Sequence, residues 1–116
     1  MRNIVLQKLR KEEEDDVLLA ERYYTILSAV NNIGLTQREI QLIAFTAVRG
    51  NISYANIRKD FCEKHKTSNA SINNIISRLK RIGILVKDGS KVKVSPRILL
   101  NFEKDVTLEL KLVHRQ

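Results

Sequence analysis

The chain has 116 residues, of which 43% are hydrophobic and 29% are charged, and its formal net charge is +8. This length suffices for one compact domain with a hydrophobic core and is too short for two independent domains. A single cysteine, Cys62, excludes an internal disulfide and a CxxC metal site, as is typical of a reducing compartment. We find neither an N-terminal apolar signal region nor a long apolar run, so we expect a cytoplasmic protein that does not span a membrane.

The positive charge is confined to one segment of the chain. Residues 51–97 carry eleven basic and three acidic side chains, whereas residues 1–50 carry seven of each and residues 98–116 carry three of each. A cluster of basic side chains of this kind is typical of surfaces that meet phosphate backbones.

The first predicted elements are a strand and a helix. Residues 3–9 are rich in strand-forming apolar residues. The acidic run 12–16 then precedes an apolar-periodic stretch, and carboxylates are favourable at the positive end of a helix dipole, so we expect the first helix to begin there. Residues 31–34 contain two asparagines and a glycine and supply its end. The apolar positions of this helix are Leu19, Tyr23, Ile26, Leu27, Val30 and Ile33.

Two further helices are predicted by their caps. Thr36 and Glu39 have the spacing of a capping box, which predicts a helix that begins at Gln37 and ends at Gly50. This helix is apolar around most of its circumference and is therefore expected to be buried. Ser53 is expected to cap a third helix over residues 54–65.

A fourth helix and a hairpin complete the basic segment. Thr67 or Ser68 can cap a helix over residues 68–82, and Gly83 supplies its end. Two strand-like runs follow, separated by Asp88-Gly89, and this dipeptide predicts a hairpin with a type I′ turn. The apolar stripe of the helix consists of Ile72, Ile75, Ile76, Leu79 and Ile82.

This succession of helix, short strand at 51–53, helix, turn, helix and lysine-rich hairpin resembles the winged helix-turn-helix family of DNA-binding domains over residues 36–97. The resemblance implies a mainly α fold with a small antiparallel β hairpin, here with an extra N-terminal helix and terminal strand arms. It also implies that helix 68–82 enters the major groove and that hairpin 84–95, the wing, contacts phosphates or the minor groove.

The chemistry of the residues agrees with this implication. Asparagine pairs with adenine edges and arginine with guanine edges, whereas other basic side chains hold phosphates. The predicted base-reading residues are Asn69, Ser71, Asn73, Asn74 and Arg78. The predicted phosphate and wing residues are Lys66, Lys80, Arg81, Lys87, Lys91 and Lys93. A solvated helix face shows the same polar and basic pattern, so the residues alone leave both interpretations open.

The terminal arms contain a further strand. Residues 106–113 alternate apolar and polar side chains as a half-buried strand does. Such a strand needs a partner, and residues 4–9 are the candidate, in the same chain or in a second subunit. In the second case the arms form a homo-oligomer interface, and the N-terminal helix is another candidate for that role. We divide the chain into an N-terminal arm or strand at 1–14, the winged domain with its preceding helix at 15–97, and a C-terminal strand arm at 98–116.

An enzymatic function finds little support in the sequence. His65 and His114 are far apart, no metal-ligand spacing is present, and the four glycines form no phosphate loop. We therefore expect no catalytic residue, no metal site and no cofactor. The main prediction is sequence-dependent binding of double-stranded DNA by a transcriptional or replication-associated regulator. The alternative is an assembly module, for example in a phage particle, that contacts protein or nucleic acid without sequence specificity and is virion-associated.

Overall fold

The computed structural model describes residues 15–99 and the backbone of residues 3–7 and 108–112. The predicted class, mainly helical with a small antiparallel hairpin, is confirmed. Predicted strand residues 8–9, 106–107 and 113 lie outside the described part. In chain order the elements are β1 (Asn3–Gln7), α1 (Asp16–Val30), α2 (Gln37–Arg49), α3 (Ala55–His65), α4 (Asn69–Arg81), β2 (Leu85–Asp88), β3 (Lys91–Val94), a 3₁₀ turn (Pro96–Ile98) and β4 (Leu108–Leu112).

Side-chain caps fix the starts of three helices, two of them as the sequence predicts. The Asp15 carboxylate accepts the Leu18 amide at the start of α1. The capping box of α2 is complete, because the Thr36 hydroxyl accepts the Glu39 amide at 3.2 Å and Glu39 accepts the Thr36 amide at 2.8 Å. Ser68, one of the two predicted caps, accepts the Ser71 amide at the start of α4. The described part of the chain contains no helix long and apolar enough to cross a bilayer.

The predicted cap of α3 was wrong. Tyr54 is the N-cap residue, and its side chain makes no capping bond. The buried Asn51 orders the turn before α3 instead, because its Oδ1 accepts the backbone amides of Ser53 at 2.9 Å and Tyr54 at 3.3 Å. The Ser53 hydroxyl instead accepts the Val92 amide at 2.7 Å, and the Ile52 amide donates to the Val92 carbonyl. The predicted short strand at 51–53 was wrong, because this segment is irregular, although these two hydrogen bonds join it to β3 before the chain enters α3.

The core is centred on α2, which packs against α1, α3, α4 and β3. Leu42, Ile43 and Ala44 are fully buried there. α1 joins the core largely through the predicted stripe, because Leu19 is buried and Tyr23 and Leu27 pack against the core. Two positions differ from the prediction: Tyr24 is fully buried, and Val30 is 59% exposed. The Tyr24 hydroxyl donates to the Ile98 carbonyl at 2.8 Å, which satisfies the one polar group that this burial removes from water.

A glycine connects α4 directly to the β2–β3 hairpin. Gly83 has a φ of +82°, and the amides of Gly83 and Ile84 donate to the Lys80 and Leu79 carbonyls. This is a Schellman ending, which favours glycine because a side chain is strained at positive φ. Ile84 and Leu85 then enter the core, so the hairpin begins within a few residues of the last turn of α4.

The turn of the hairpin lies one residue later than predicted. Asp88 pairs with Lys91 in the antiparallel register, so the loop consists of Gly89 and Ser90. Gly89 has a φ of +63° and Ser90 has no positive φ, which matches a type II′ turn rather than the predicted type I′. Val94 is buried and Val92 packs against the core, as the alternation of β3 predicts.

The terminal strands pair with each other in one chain. β1 and β4 form a two-stranded antiparallel sheet in which Val5 lies opposite Leu110. Of the two arrangements that the sequence left open, the structure has the one within the chain. After β3, Pro96–Ile98 forms a 3₁₀ turn that is capped by the buried Ser95.

Candidate functional site

The exposed face of α4 carries most of the predicted base-reading residues. Ile72, Ile76 and Leu79 bury the opposite face of this helix in the core. The exposed side chains are Asn69, Ala70, Ser71, Asn73, Asn74, Ser77, Lys80 and Arg81. The centre of this face is a row at helical spacing formed by Ala70, Asn74, Ser77 and Arg81.

Arg78 is directed away from the centre of that face. Its Nη1 donates to Oε2 of Glu39 in an ion pair between α4 and α2, in which the Glu39 side chain is 6% exposed. Burial by itself would raise the pKa of the Glu39 carboxyl, but hydrogen bonds from Arg78 and Thr36 and the charge of Arg78 hold this pKa below its ordinary value. The pair therefore fixes α4 against the start of α2.

Asn73 is joined to an arginine of α3. Nη1 of Arg58 donates to Oδ1 of Asn73 at 2.7 Å, and Nε of Arg58 donates to the Ile52 carbonyl at 2.9 Å. Ile52 is fully buried. Arg58 thus connects the segment beside β3 with the exposed face of α4.

The three lysines of the hairpin lie in different electrostatic surroundings. Lys93 pairs with Asp88 at 3.1 Å, so the hairpin neutralises one of its own charges. Nζ of Lys91 lies 5.5 Å from the centre of the Tyr54 ring, a distance that permits a cation–π contact. Lys87 is exposed and forms no ion pair with another described residue.

The remaining predicted phosphate residues lie at the two ends of α4. Lys66 is exposed in the turn before α4 and has a left-handed backbone with a φ of +52°. Lys80 and Arg81 are exposed in the last turn. None of these three side chains forms an ion pair within residues 15–99. Their charges therefore remain available to an external anion.

The sequence does not reveal three residues that shape this surface. Arg58 and Glu39 hold Asn73 and Arg78, and Tyr54 supports Lys91. The contacts of Arg58, Glu39 and Tyr54 join residues at least fifteen positions apart, and no local sequence pattern reports such pairs.

His65 lies partly inside the protein. Its ring is 4.6 Å from the Phe61 ring, and its carbonyl accepts Nη1 of Arg38 at 2.8 Å. Burial, together with the charges of Lys64 and Arg38, lowers the pKa of the imidazole. No group of three potential metal-ligating side chains occurs among the residues that the structure describes.

Comparisons with protein-family models, with curated proteins and with solved structures give no match for this chain.

Proposed function

We propose that this protein binds double-stranded DNA as a winged helix-turn-helix domain, most directly as a transcriptional or replication-associated regulator. In this proposal α2, α3 and α4 are the three helices and the β2–β3 hairpin is the wing. Segment 51–53, which is irregular but hydrogen-bonded to β3, takes the place of the predicted short strand. α4 enters the major groove, whose width admits one helix.

One observation carries the proposal: an exposed helix face of amides, hydroxyls and cations is bordered by basic side chains that have no acidic partner among residues 15–99. Asn69, Asn74 and Ser77 supply short donors and acceptors of the kind that contact base edges. Arg81 and Lys87 supply charge at the end of α4 and in the adjoining hairpin. A surface used only for solvation needs no such concentration of unneutralised charge.

The roles of the predicted residues follow from their contacts. Asn69, Ser71, Asn73 and Asn74 are proposed to face bases, and Lys66, Lys80, Arg81 and Lys87 to face phosphates. Arg78 is proposed to orient α4 through Glu39, because its guanidinium is already engaged in the ion pair. Lys91 is proposed as a phosphate contact aligned by Tyr54, and Lys93 as a weak one because Asp88 pairs with it.

The proposal is tested by matched removal of single charges. Arg81→Gln and Lys64→Gln each remove one positive charge from an exposed helical position. Lys64 lies 6.0 Å from the centre of the Phe45 ring and acts on the Glu21 carboxyl of α1, so its charge lies beside α1 and α2. Duplex affinity is measured by fluorescence anisotropy at several salt concentrations.

We expect Arg81→Gln to weaken binding to every duplex. The salt slope, which is the slope of log affinity against log salt concentration, should shrink by the contribution of about one phosphate contact. Lys64→Gln should leave this slope unchanged. Equal effects of the two substitutions would contradict the placement of α4. Absence of any duplex binding at low salt would instead favour the assembly module as the function.

A further inference from the structure

Arg58 is held in place before any ligand arrives. Its Nε donates to the carbonyl of Ile52, and the amide of Ile52 donates to the Val92 carbonyl at 3.0 Å. Because Ile52 is fully buried, its backbone is a fixed support for the guanidinium. The guanidinium is therefore oriented by the same segment that lies along the hairpin.

The position of Arg58 fixes the orientation of the Asn73 amide. A guanidinium has N–H donors and no acceptor, so the Asn73 atom that faces it at 2.7 Å must be Oδ1. The NH₂ group of the same planar amide then points away from Arg58. Asn73 is exposed, so this NH₂ group is presented on the surface of α4 as a donor.

Arg58 and Asn73 together offer donors to a base and hardly any acceptor. The pairing that asparagine makes with adenine needs Oδ1 to accept the adenine amino group while NH₂ donates to N7. With Arg58 beside Oδ1, the adenine amino group would meet another donor and a positive charge. Guanine presents two neighbouring acceptors, N7 and O6, and these match two donors.

We propose that Arg58 and Asn73 act as one unit that selects guanine in the major groove, with Arg58 as a specificity-determining residue on the helix that precedes α4. This inference rests on the proposed entry of α4 into the major groove. It reverses the adenine preference that an isolated asparagine would have. The sites that the unit selects are therefore duplexes with a guanine at the base pair facing the first half of α4.

The test is selection of bound sequences from a randomised duplex library, followed by competition between duplexes that differ at one base pair. The base pair that faces Asn73 is identified as the position at which the Asn73→Ala protein loses its base preference. The wild type is expected to prefer guanine over adenine there by about 5- to 100-fold, the range of one good base contact. Arg58→Ala frees Oδ1 and should move the preference at that base pair from guanine to adenine.

Two further variants control for charge and folding. Lys59→Ala removes the neighbouring exposed cation of α3 and should keep the guanine preference. Arg58→Lys keeps the charge but lacks the paired donors, so it should lose most of the guanine preference. If Arg58→Ala does not fold, Arg58→Lys still tests the inference. A wild-type preference for adenine, or a guanine preference that survives both Arg58 substitutions, would overturn the inference while the DNA-binding proposal stands. Absence of duplex binding by the wild type would overturn both.

Discussion

The Glu39 carboxylate closes the capping box of α2 with Oε1 and holds Arg78 of α4 with Oε2. Among the described residues Glu39 carries the one buried carboxylate, and each of its two oxygens accepts a hydrogen bond. A buried carboxylate is stable only when such partners compensate for the lost water. Glu39 therefore joins the start of α2 to α4 through one ionised side chain, beside the hydrophobic packing of the two helices.

Replacing this carboxylate should produce a destabilisation that depends on pH. Because the folded-state pKa of Glu39 lies below its ordinary value, the ionised group stabilises the fold at neutral pH, and this stabilisation is lost as pH falls through the folded-state pKa. We expect Glu39→Gln to lower the free energy of unfolding by about 1–2 kcal/mol at pH 7. At about pH 3, below the ordinary pKa of a glutamate, the difference from the wild type should be smaller than at pH 7.

Urea unfolding of both proteins at the two pH values measures this difference. Glu63→Gln on the exposed surface of α3 is the matched control and should change stability by only a few tenths of a kcal/mol. A destabilisation by Glu39→Gln that is the same at both pH values would show that the charge of Glu39 does not hold α4.

At the scale of elements, segment 51–53 connects α2, α3 and the hairpin. Asn51 holds the start of α3, Ile52 enters the core, and Ser53 accepts the β3 amide of Val92. Ile52 also supports Arg58 through its carbonyl. A change in this short segment therefore reaches both α3 and the hairpin.

Substitution of Asn51 and of Ser53 should have separate effects on α3 and on the hairpin. Asn51→Ala leaves the Ser53 and Tyr54 amides without their acceptor, and we expect a loss of about 1–2 kcal/mol, typical of a lost cap. Amide hydrogen exchange should then accelerate at the start of α3. Ser53→Ala should accelerate exchange of the Val92 amide instead. If exchange at the start of α3 accelerates in Ser53→Ala but not in Asn51→Ala, Ser53 is the cap of α3.

The lysines of the hairpin should differ in their contribution to DNA binding. Lys87→Gln with Lys91→Gln removes two charges that lack an acidic partner among the described residues, and we expect the salt slope to fall by about two contacts. Lys93→Gln removes a charge that Asp88 already neutralises and should change the slope by clearly less than one contact. A larger effect of Lys93→Gln than of the double variant would show that the hairpin is not used as a wing.

Local signals in the sequence predicted the elements well. The capping box at Thr36, the glycine after α4 and the alternation of β3 each depend on neighbouring residues, and the structure has all three. The predictions failed where a contact with a residue distant in the sequence determines the structure. The buried Tyr24 hydroxyl is satisfied by the distant Ile98 carbonyl, and the Ser53 hydroxyl binds the Val92 amide instead of capping α3.

The candidate site could be predicted in composition but not in its internal contacts. The helical repeat correctly places Asn69, Ser71 and Asn74 on the exposed face of α4. It could not show that Arg78 pairs with Glu39 or that Asn73 pairs with Arg58. Both partners lie on other helices, and tertiary packing alone brings them together.

At the scale of the whole molecule, charge is segregated along the chain. Residues 1–50 and 98–116 are each neutral, so the net charge of +8 arises from the segment that contains α3, α4 and the hairpin. A net positive charge of this size favours the approach of a polyanion, as the proposed DNA binding requires. Terminal strands β1 and β4 pair with each other in the same chain and contribute none of this net charge.

The most direct measurement of the central claim is the affinity of the intact protein for duplex DNA as a function of salt concentration. Contacts to four to six phosphates predict that the logarithm of affinity falls against the logarithm of salt concentration with a slope of about −4 to −5. A duplex chosen by selection should also bind more tightly than a random one, as expected for a regulator. No detectable binding of either duplex at low salt would contradict the account.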